Sequence, residues 1–366
     1  MILQIEPWID ENEKKYLDKV VESTFVTEHK LTKEFENRIK DITGARHAIA
    51  MTNGTAALYC CLVSLGIGRG DEVIVPNLTF VATANAVIMT GATPVFCDVC
   101  PESMCLEVKE VKKVWTKRTR CIIPVHLFGN ATQMHLLTKF AKIHGIKIIE
   151  DAAQGVGVKI NNKHVGTFGD LGVLSFYGNK TITCGEGGVV LTDNDHLAKR
   201  CYQLKNHGRS KKGVFVHETI GFNFCFTEMQ AAVGLSQLDK LDKIIGKKQE
   251  IFLKYCDAFK HHKNIHILKK VDNIESVMWM SYFFFRDRVG LENYLSTKNI
   301  QSRKFFYPLH LQPCYKDFPS IIKDNDYSNS VFLYNNGLCL PSSVLMTQEE
   351  QDTVIREVLR FYSKGQ

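Results

Sequence analysis

Lys180 stands at the end of the run Ser175-Phe176-Tyr177-Gly178-Asn179-Lys180, and Asp151 closes an apolar run a short interval earlier, in Glu150-Asp151-Ala152-Ala153-Gln154. A lysine amine can form a Schiff base with an aldehyde. A carboxylate can keep a pyridine nitrogen protonated, so that the ring acts as an electron sink. An acidic residue ending an apolar run, followed by a lysine in a Ser/Asn/Gly-rich turn, is therefore what pyridoxal phosphate chemistry needs. Alone, a lysine in a turn is usually a solvated surface residue, and an Asp at a strand end is often a helix cap. The surrounding pattern changes that weighting.

Thr52-Asn53-Gly54-Thr55-Ala56-Ala57 follows an apolar run and precedes a helical pattern. Backbone N–H groups at a helix start, with a hydroxyl beside them, make an anion site for the cofactor phosphate. Gly54, Thr55 and Ser175 are the candidate phosphate ligands, against the alternative of an ordinary strand-to-helix turn. Phe80 could stack on the pyridine ring or could be core. Gln154, one helical turn after Asp151, can reach the ring hydroxyl. His126 is weighed as a structural histidine. Glu186, in Gly185-Glu186-Gly187-Gly188, is either turn chemistry or a substrate contact.

The elements that must position these residues alternate. Short apolar runs at 48–51, 72–76, 93–98, 121–127, 146–149, 171–176 and 188–192 are separated by helical periodicity at 56–65, 81–89, 108–115, 133–144 and 196–206. Such alternation predicts an α/β fold with a mainly parallel sheet flanked by helices, whose ligands bind beyond the carboxyl ends of the strands. Thr227 with Gln230 has the spacing of a capping box opening a long amphipathic stretch to about 261. The expected boundary lies within it, giving a large domain over 1–245 and a small α+β domain over 246–366. The small domain should hold a strand at 278–285 and a helix at 291–298; 312–329 reads as loop.

The chain has 366 residues, 45% of them hydrophobic and 23% charged, as in globular proteins. No apolar run approaches the length of a membrane-spanning helix, and the start lacks the pattern of a signal peptide. A cytoplasmic location with no membrane partner is the expectation. The 12 cysteines fit it, several in apolar settings; Cys97 and Cys100 have no second pair at a zinc spacing, so no metal site is expected. The net charge of +7 is dispersed over Lys211-Lys212, Lys247-Lys248, Lys269-Lys270 and 117–120, without the basic–aromatic clusters of a nucleic-acid binder.

Five co-linear motifs carry a resemblance. Gly54-Thr55-Ala56-Ala57-Leu58, Pro76-x-x-Thr79-Phe80-Val81-Ala82-Thr83-Ala84-Asn85-Ala86, Glu150-Asp151-Ala152-Ala153-Gln154, the run from Ser175 through Asn179-Lys180 to Gly187-Gly188, and Gly221-Phe222-Asn223 resemble the DegT/DnrJ/EryC1/StrS sugar aminotransferases from about residue 5 to 345. Within that family, 175–180 and 306–313 look most like the GDP-perosamine synthases. The resemblance implies the fold-type I architecture of pyridoxal 5'-phosphate enzymes and a homodimer with shared active sites. It implies Lys180 as the Schiff-base lysine and Asp151 as the pyridine partner. Gln154, Phe80, Gly54, Thr55 and Ser175 would be cofactor contacts, with Asn223 reaching the partner subunit's cofactor phosphate. His310 would lie near the sugar nucleotide, as would Phe25, which stands where relatives often carry tryptophan. Cys225 and Glu228 depart from the family pattern, standing where a basic residue and an asparagine are expected, and could alter contact with the diphosphate or sugar.

The implied substrates are L-glutamate and a nucleotide-linked 4-keto-6-deoxyhexose aminated at C4, with GDP-4-keto-6-deoxymannose favoured. The alternatives are a dTDP-4-keto-6-deoxyglucose substrate or amination at C3. A branch of the family with histidine in place of the lysine performs dehydration; the intact Lys180 favours transamination. A cofactor-binding regulator is the remote alternative, expected to carry a fused DNA-binding module for which the resemblance leaves no room.

Overall fold

The computed structural model describes residues 1–366 except 212, 270, 272, 317–325 and 364–366. Two helices precede the first strand: α1 (Glu11–Ser23), opened by an Asp10–Glu13 capping box, and α2 (Lys30–Thr43). Then come β1 (His47–Met51), α3 (Gly54–Ser64), β2 (Glu72–Pro76), α4 (Ala82–Met89), β3 (Thr93–Cys97), α5 (Val108–Val114), β4 (Thr119–Ile122), α6 (Met134–His144) and β5 (Lys147–Asp151). A hairpin of β6 (Lys159–Ile160) and β7 (Lys163–His164) leads to β8 (Leu171–Ser175), β9 (Gly188–Thr192) and α7 (Asp195–Lys205).

Seven of these strands make one sheet in the order β1-β9-β8-β5-β4-β2-β3. The pairs from β8 to β3 are parallel, and β9 runs antiparallel to both its neighbours. The mainly parallel sheet expected from the alternation is present. Its strands are apolar on both faces, β2 and β8 being buried at every position, because helices cover both sides.

The run at 121–127 is strand only at its start. The chain leaves β4 after Ile122 and enters a 3₁₀ turn at Leu127–Gly129, in which Phe128 takes a left-handed φ of 55°. The amphipathic stretch after Thr227 is two helices, α8 (Glu228–Asp239), with its capping box formed, and α9 (Leu241–Phe259). Position 246 falls inside α9. Ile244 packs in the core of the large sheet and Ile251 in that of the second sheet.

The remaining strands are β10 (Ile265–His266), β11 (Ile274–Glu275), β12 (Ser281–Phe285), β13 (Arg303–Lys304) and β14 (Gly337–Leu340). β10, β12, β14 and β13 form the second sheet in that order, antiparallel throughout. It is covered by α10 (Arg288–Thr297), α11 (Ser328–Asn336) and α12 (Gln348–Ser363). Strand β11 joins the β6–β7 hairpin instead. The expected strand at 278–285 begins three residues late, and the loop expected at 312–329 contains a 3₁₀ turn at Pro313–Tyr315 and the start of α11; its centre lies outside the described residues.

Candidate active site

A cavity of about 680 Å³ opens at the carboxyl ends of β1, β5 and β8. It gathers eight of the expected residues, Gly54, Thr55, Phe80, Asp151, Gln154, Ser175, Lys180 and Glu186, from separate parts of the chain.

The start of α3 forms one end. Asn53 caps the helix, its side chain accepting from Ala56 N at 2.9 Å and its carbonyl from Ala57 N at 3.1 Å, which leaves the amides of Gly54 and Thr55 as the first donors of the turn. Ser175 ends β8 directly beside it: a Cβ on Gly54 would lie 3.4 Å from the Ser175 hydroxyl. Strand β9 comes closer still, since a Cβ on Gly188 would sit 2.4 Å from the Asn53 carbonyl oxygen. Glycine at both positions lets helix start and hydroxyl converge on one point, which suits a phosphate.

Glu150 and Asp151 are adjacent, so the pleat points them to opposite faces of the sheet. Glu150 is spent internally, accepting from Gly166 N at 2.9 Å and Gly169 N at 2.7 Å and lying 3.0 Å from His126 Nε2. His126 is fully buried there, a structural histidine. Asp151 faces the cavity. It accepts from the Thr83 hydroxyl at 2.8 Å and from Ala153 N at 3.2 Å. Among the described residues it has no ion-pair partner within 4.0 Å. Burial raises its pKa above the ordinary 3.8, against the lowering effect of those two donors and of Lys180 and His126.

Lys180 lies across the cavity, its Nζ 4.3 Å from the centroid of the Trp279 ring. Burial pulls its amine down to about 8; Asp151 opposes the shift and Arg303 adds to it. Phe80 is 52% exposed, which removes the core reading; its ring faces the cavity, 5.8 Å from that of Phe306. Gln154 is buried, and its carbonyl oxygen accepts from Phe128 N at 2.7 Å, leaving the amide NH₂ as the group it can offer. Glu186 follows Gly185 in its left-handed turn; its carbonyl oxygen is held by Gln230 Nε2 at 2.6 Å.

The fit to pyridoxal phosphate can be judged from these donors. A buried carboxylate with no cation partner suits a protonated pyridine nitrogen, a depressed amine suits an aldehyde, and a helix start with a hydroxyl suits a phosphate. The residues fit the group.

Three expected site residues do not line this cavity. Phe25 is exposed, stacked on His29 at 4.6 Å. Asn223 is exposed and joins Asn206 by a backbone bridge, while its neighbour Phe224 lines the cavity. His310 is held away from it: Asn77 Nδ2 donates to its Nδ1 at 2.8 Å, and its ring stacks on Tyr327 at 4.3 Å. Burial lowers the His310 pKa, consistent with a neutral acceptor ring.

The two departures from the family pattern have structural accounts. Glu228 is buried, and its carboxylate accepts from His29 N, Leu31 N, Thr32 N and the Thr32 hydroxyl at 2.7–2.8 Å. The gained anion is consumed at the start of α2, where the helix dipole favours it. Cys225 is half-buried, its thiol donating to the Lys205 carbonyl at 3.5 Å, and burial raises its pKa.

Sequence reasoning passed over Trp279, Arg303 and Phe306, which bring the second sheet to the cavity. Trp279 lies in the run expected as a strand, and Phe306 in a quoted family-like stretch; neither carries a spacing signal of its own.

The sequence profile of the DegT/DnrJ/EryC1/StrS aminotransferase family matches residues 7–359. The chain is 35% identical over 364 residues to a GDP-perosamine synthase of Escherichia coli O157:H7, covering 98% of each, and 36% identical over 351 residues to that of Vibrio cholerae, covering 93% and 94%. An aminotransferase of this family from Brucella abortus superposes with a TM-score of 0.90 at 31% identity, covering 96% and 95% of the two chains. A proposed sugar aminotransferase from Streptococcus pneumoniae, solved in its PLP form, superposes at 0.93 with 25% identity over 99% of each chain. The chain belongs to the DegT/DnrJ/EryC1/StrS family and is a pyridoxal-phosphate-dependent sugar aminotransferase.

Proposed function

We propose that the enzyme moves the amino group of L-glutamate to C4 of GDP-4-keto-6-deoxymannose, giving GDP-perosamine. The observation that carries the site assignment is the pairing across one cavity of a buried carboxylate without a cation and a lysine amine drawn down to about 8. Support for the substrate comes from the two GDP-perosamine synthases at about 35% identity over nearly the whole chain.

When bound, pyridoxal phosphate supplies the electron sink and carries the amine between the two substrates. In this reading Asp151 holds a proton on the ring nitrogen, and Gly54, Thr55 and Ser175 hold the phosphate. Phe80 covers one ring face and Gln154 donates to the ring hydroxyl. Lys180 Nζ takes the proton from the glutamate α-carbon and later returns one to C4 of the sugar. An amine near 8 is suited to both directions at neutral pH, because both protonation states are populated. Glu186 at the rim is a candidate sugar contact. Phe25, His310 and Asn223 would act across a homodimer, Asn223 on the partner subunit's phosphate, since none lines the cavity of its own chain.

Product NMR after incubation with L-glutamate and each keto-sugar tests the substrate. Amination of the GDP sugar at C4 is expected. Turnover confined to dTDP-4-keto-6-deoxyglucose, or amination at C3, would replace the substrate while keeping the reaction class.

A further inference from the structure

Trp279 precedes β12 of the second sheet yet is buried at the foot of the Lys180 amine. Its indole Nε1–H donates to the Asn179 carbonyl at 2.6 Å, so the ring is tied to the peptide just before the lysine. Its own carbonyl accepts from Lys248 Nζ on α9 at 3.2 Å, and that amine also donates to the Ser342 carbonyl at 3.3 Å. Lys248 is buried, and burial draws its amine down to about 8. An apolar side chain of similar length would avoid that desolvation; what the lysine gives in return is a fixed Trp279 backbone.

The tryptophan is thus fastened at both ends, and between the fastenings lies the face that meets Lys180. A lysine has a flexible four-carbon stem. In transamination its amine is released for part of each cycle and must then stay within reach of the reacting carbons. An indole face attracts the ammonium form through its quadrupole and offers an apolar wall to the neutral form. The charged groups facing the amine are Asp151 from β5 and Arg303 from β13, acting in opposite directions. We infer that Trp279, clamped by Asn179 and Lys248, is a positioning residue that seats the Lys180 amine while it is detached from the cofactor. This rests on the reading of Lys180 as the cofactor lysine.

The chain has 3 tryptophans, so Trp8→Phe with Trp115→Phe leaves Trp279 as the sole indole. Its fluorescence in the cofactor-free full-length enzyme should titrate with a midpoint at about 8, as the amine beneath the ring changes charge. The transition should vanish with Lys180→Met. Its persistence in that variant would show that the ring reports another group, such as Lys248, and would overturn the proposal. In the otherwise natural chain, Trp279→Phe should slow pyridoxal phosphate uptake by the cofactor-free enzyme and lower kcat by roughly 10- to 100-fold, with KM for the keto-sugar little changed. Wild-type uptake and kcat in that variant would equally overturn it. The underlying assignment is read separately: if the Lys180→Met enzyme still retains the cofactor covalently after borohydride treatment and denaturation, the lysine is misassigned, whatever Trp279 does.

Discussion

Buried charge is handled in opposite ways on the two sides of this molecule. Beneath α1, α2 and α8 the buried charges of Glu228, Glu13 and Lys205 are completed by the chain itself. Glu228 takes four donors from the start of α2. Glu13 meets Lys240 at 2.7 Å and accepts from Gln237, Ser236 and the Asp10 amide. Lys205 pairs with Glu28 at 2.9 Å and donates to the Ala50 carbonyl. In the cavity, Asp151 has two uncharged donors, Lys180 a ring face, and Arg303 the ring of Phe306 at 5.5 Å. Desolvation acts on both sides. It is outweighed at Glu13, whose pKa is lowered, and wins at Asp151, whose pKa is raised. A charge that serves only the fold is completed within it, because an incomplete one is costly. The charges that line the cavity are left short of partners, and a perturbed group in a cleft is a candidate functional group.

The sharpest test of this contrast is to remove one charge from each side. Lys180→Ala should abolish multiple-turnover amine transfer, and measurable turnover would remove Lys180 from its role. Asp151→Asn should lower kcat by about 10²-fold or more, since a neutral amide cannot stabilise a ring proton. Neither change should greatly disturb the fold. Glu228→Ala should do the reverse. It orphans buried amides at the start of α2 and should cost about 3 kcal/mol in urea unfolding. Pyridoxal phosphate affinity per folded molecule should stay within about twofold, well under 1 kcal/mol. A Glu228→Ala enzyme that is stable but loses cofactor would place that carboxylate on the functional side.

The same contrast explains what could be read from the sequence. The convergence of Asp151 and Lys180 on one cavity was legible because Asp151 ends one strand of the large sheet and Lys180 comes shortly after another, and strands alternating with helices announce both the sheet and the edge where ligands bind. The placing of Gly54 and Thr55 at that cavity was legible for the same reason, from their position at the start of α3. The different roles of Glu150 and Asp151 were only half legible. Their opposite facing follows from the pleat, but the donors that satisfy Glu150 come from 166–169, across a hairpin whose two-residue strands leave no periodic trace. Trp279 and Arg303 were illegible, since they meet Lys180 only through the packing of the second sheet on the first. Glu228 misled, because at sequence level a buried helix cap and a surface anion look alike; its donors lie near residue 30, and only folding brings them together.

The smallest expected effect separates the two carboxylates by the sign of their pH dependence. The folded pKa of Glu13 lies below its ordinary 4.5, so the unfolded chain binds the proton more tightly, and its contribution is lost as pH falls from 4.5 through the folded value. The folded pKa of Asp151 lies above 3.8, so the native chain binds the proton more tightly, and stability is gained as pH falls through the folded value toward 3.8. Urea unfolding of the cofactor-free enzyme between about pH 3.5 and 6 reads both against Glu13→Gln and Asp151→Asn. The advantage of wild type over Glu13→Gln should shrink with acid. Asp151→Asn should be the more stable chain at pH 6, by up to about 1 kcal/mol, because it removes a desolvated charge while keeping an acceptor for Thr83 or Ala153. Saturating pyridoxal phosphate should erase that advantage, since the bound ring supplies the charge partner that only the carboxylate can use. An Asp151→Asn chain less stable than wild type without cofactor would mean that Asp151 is completed by the fold after all, and that the shortage of partners in the cavity is not what marks it.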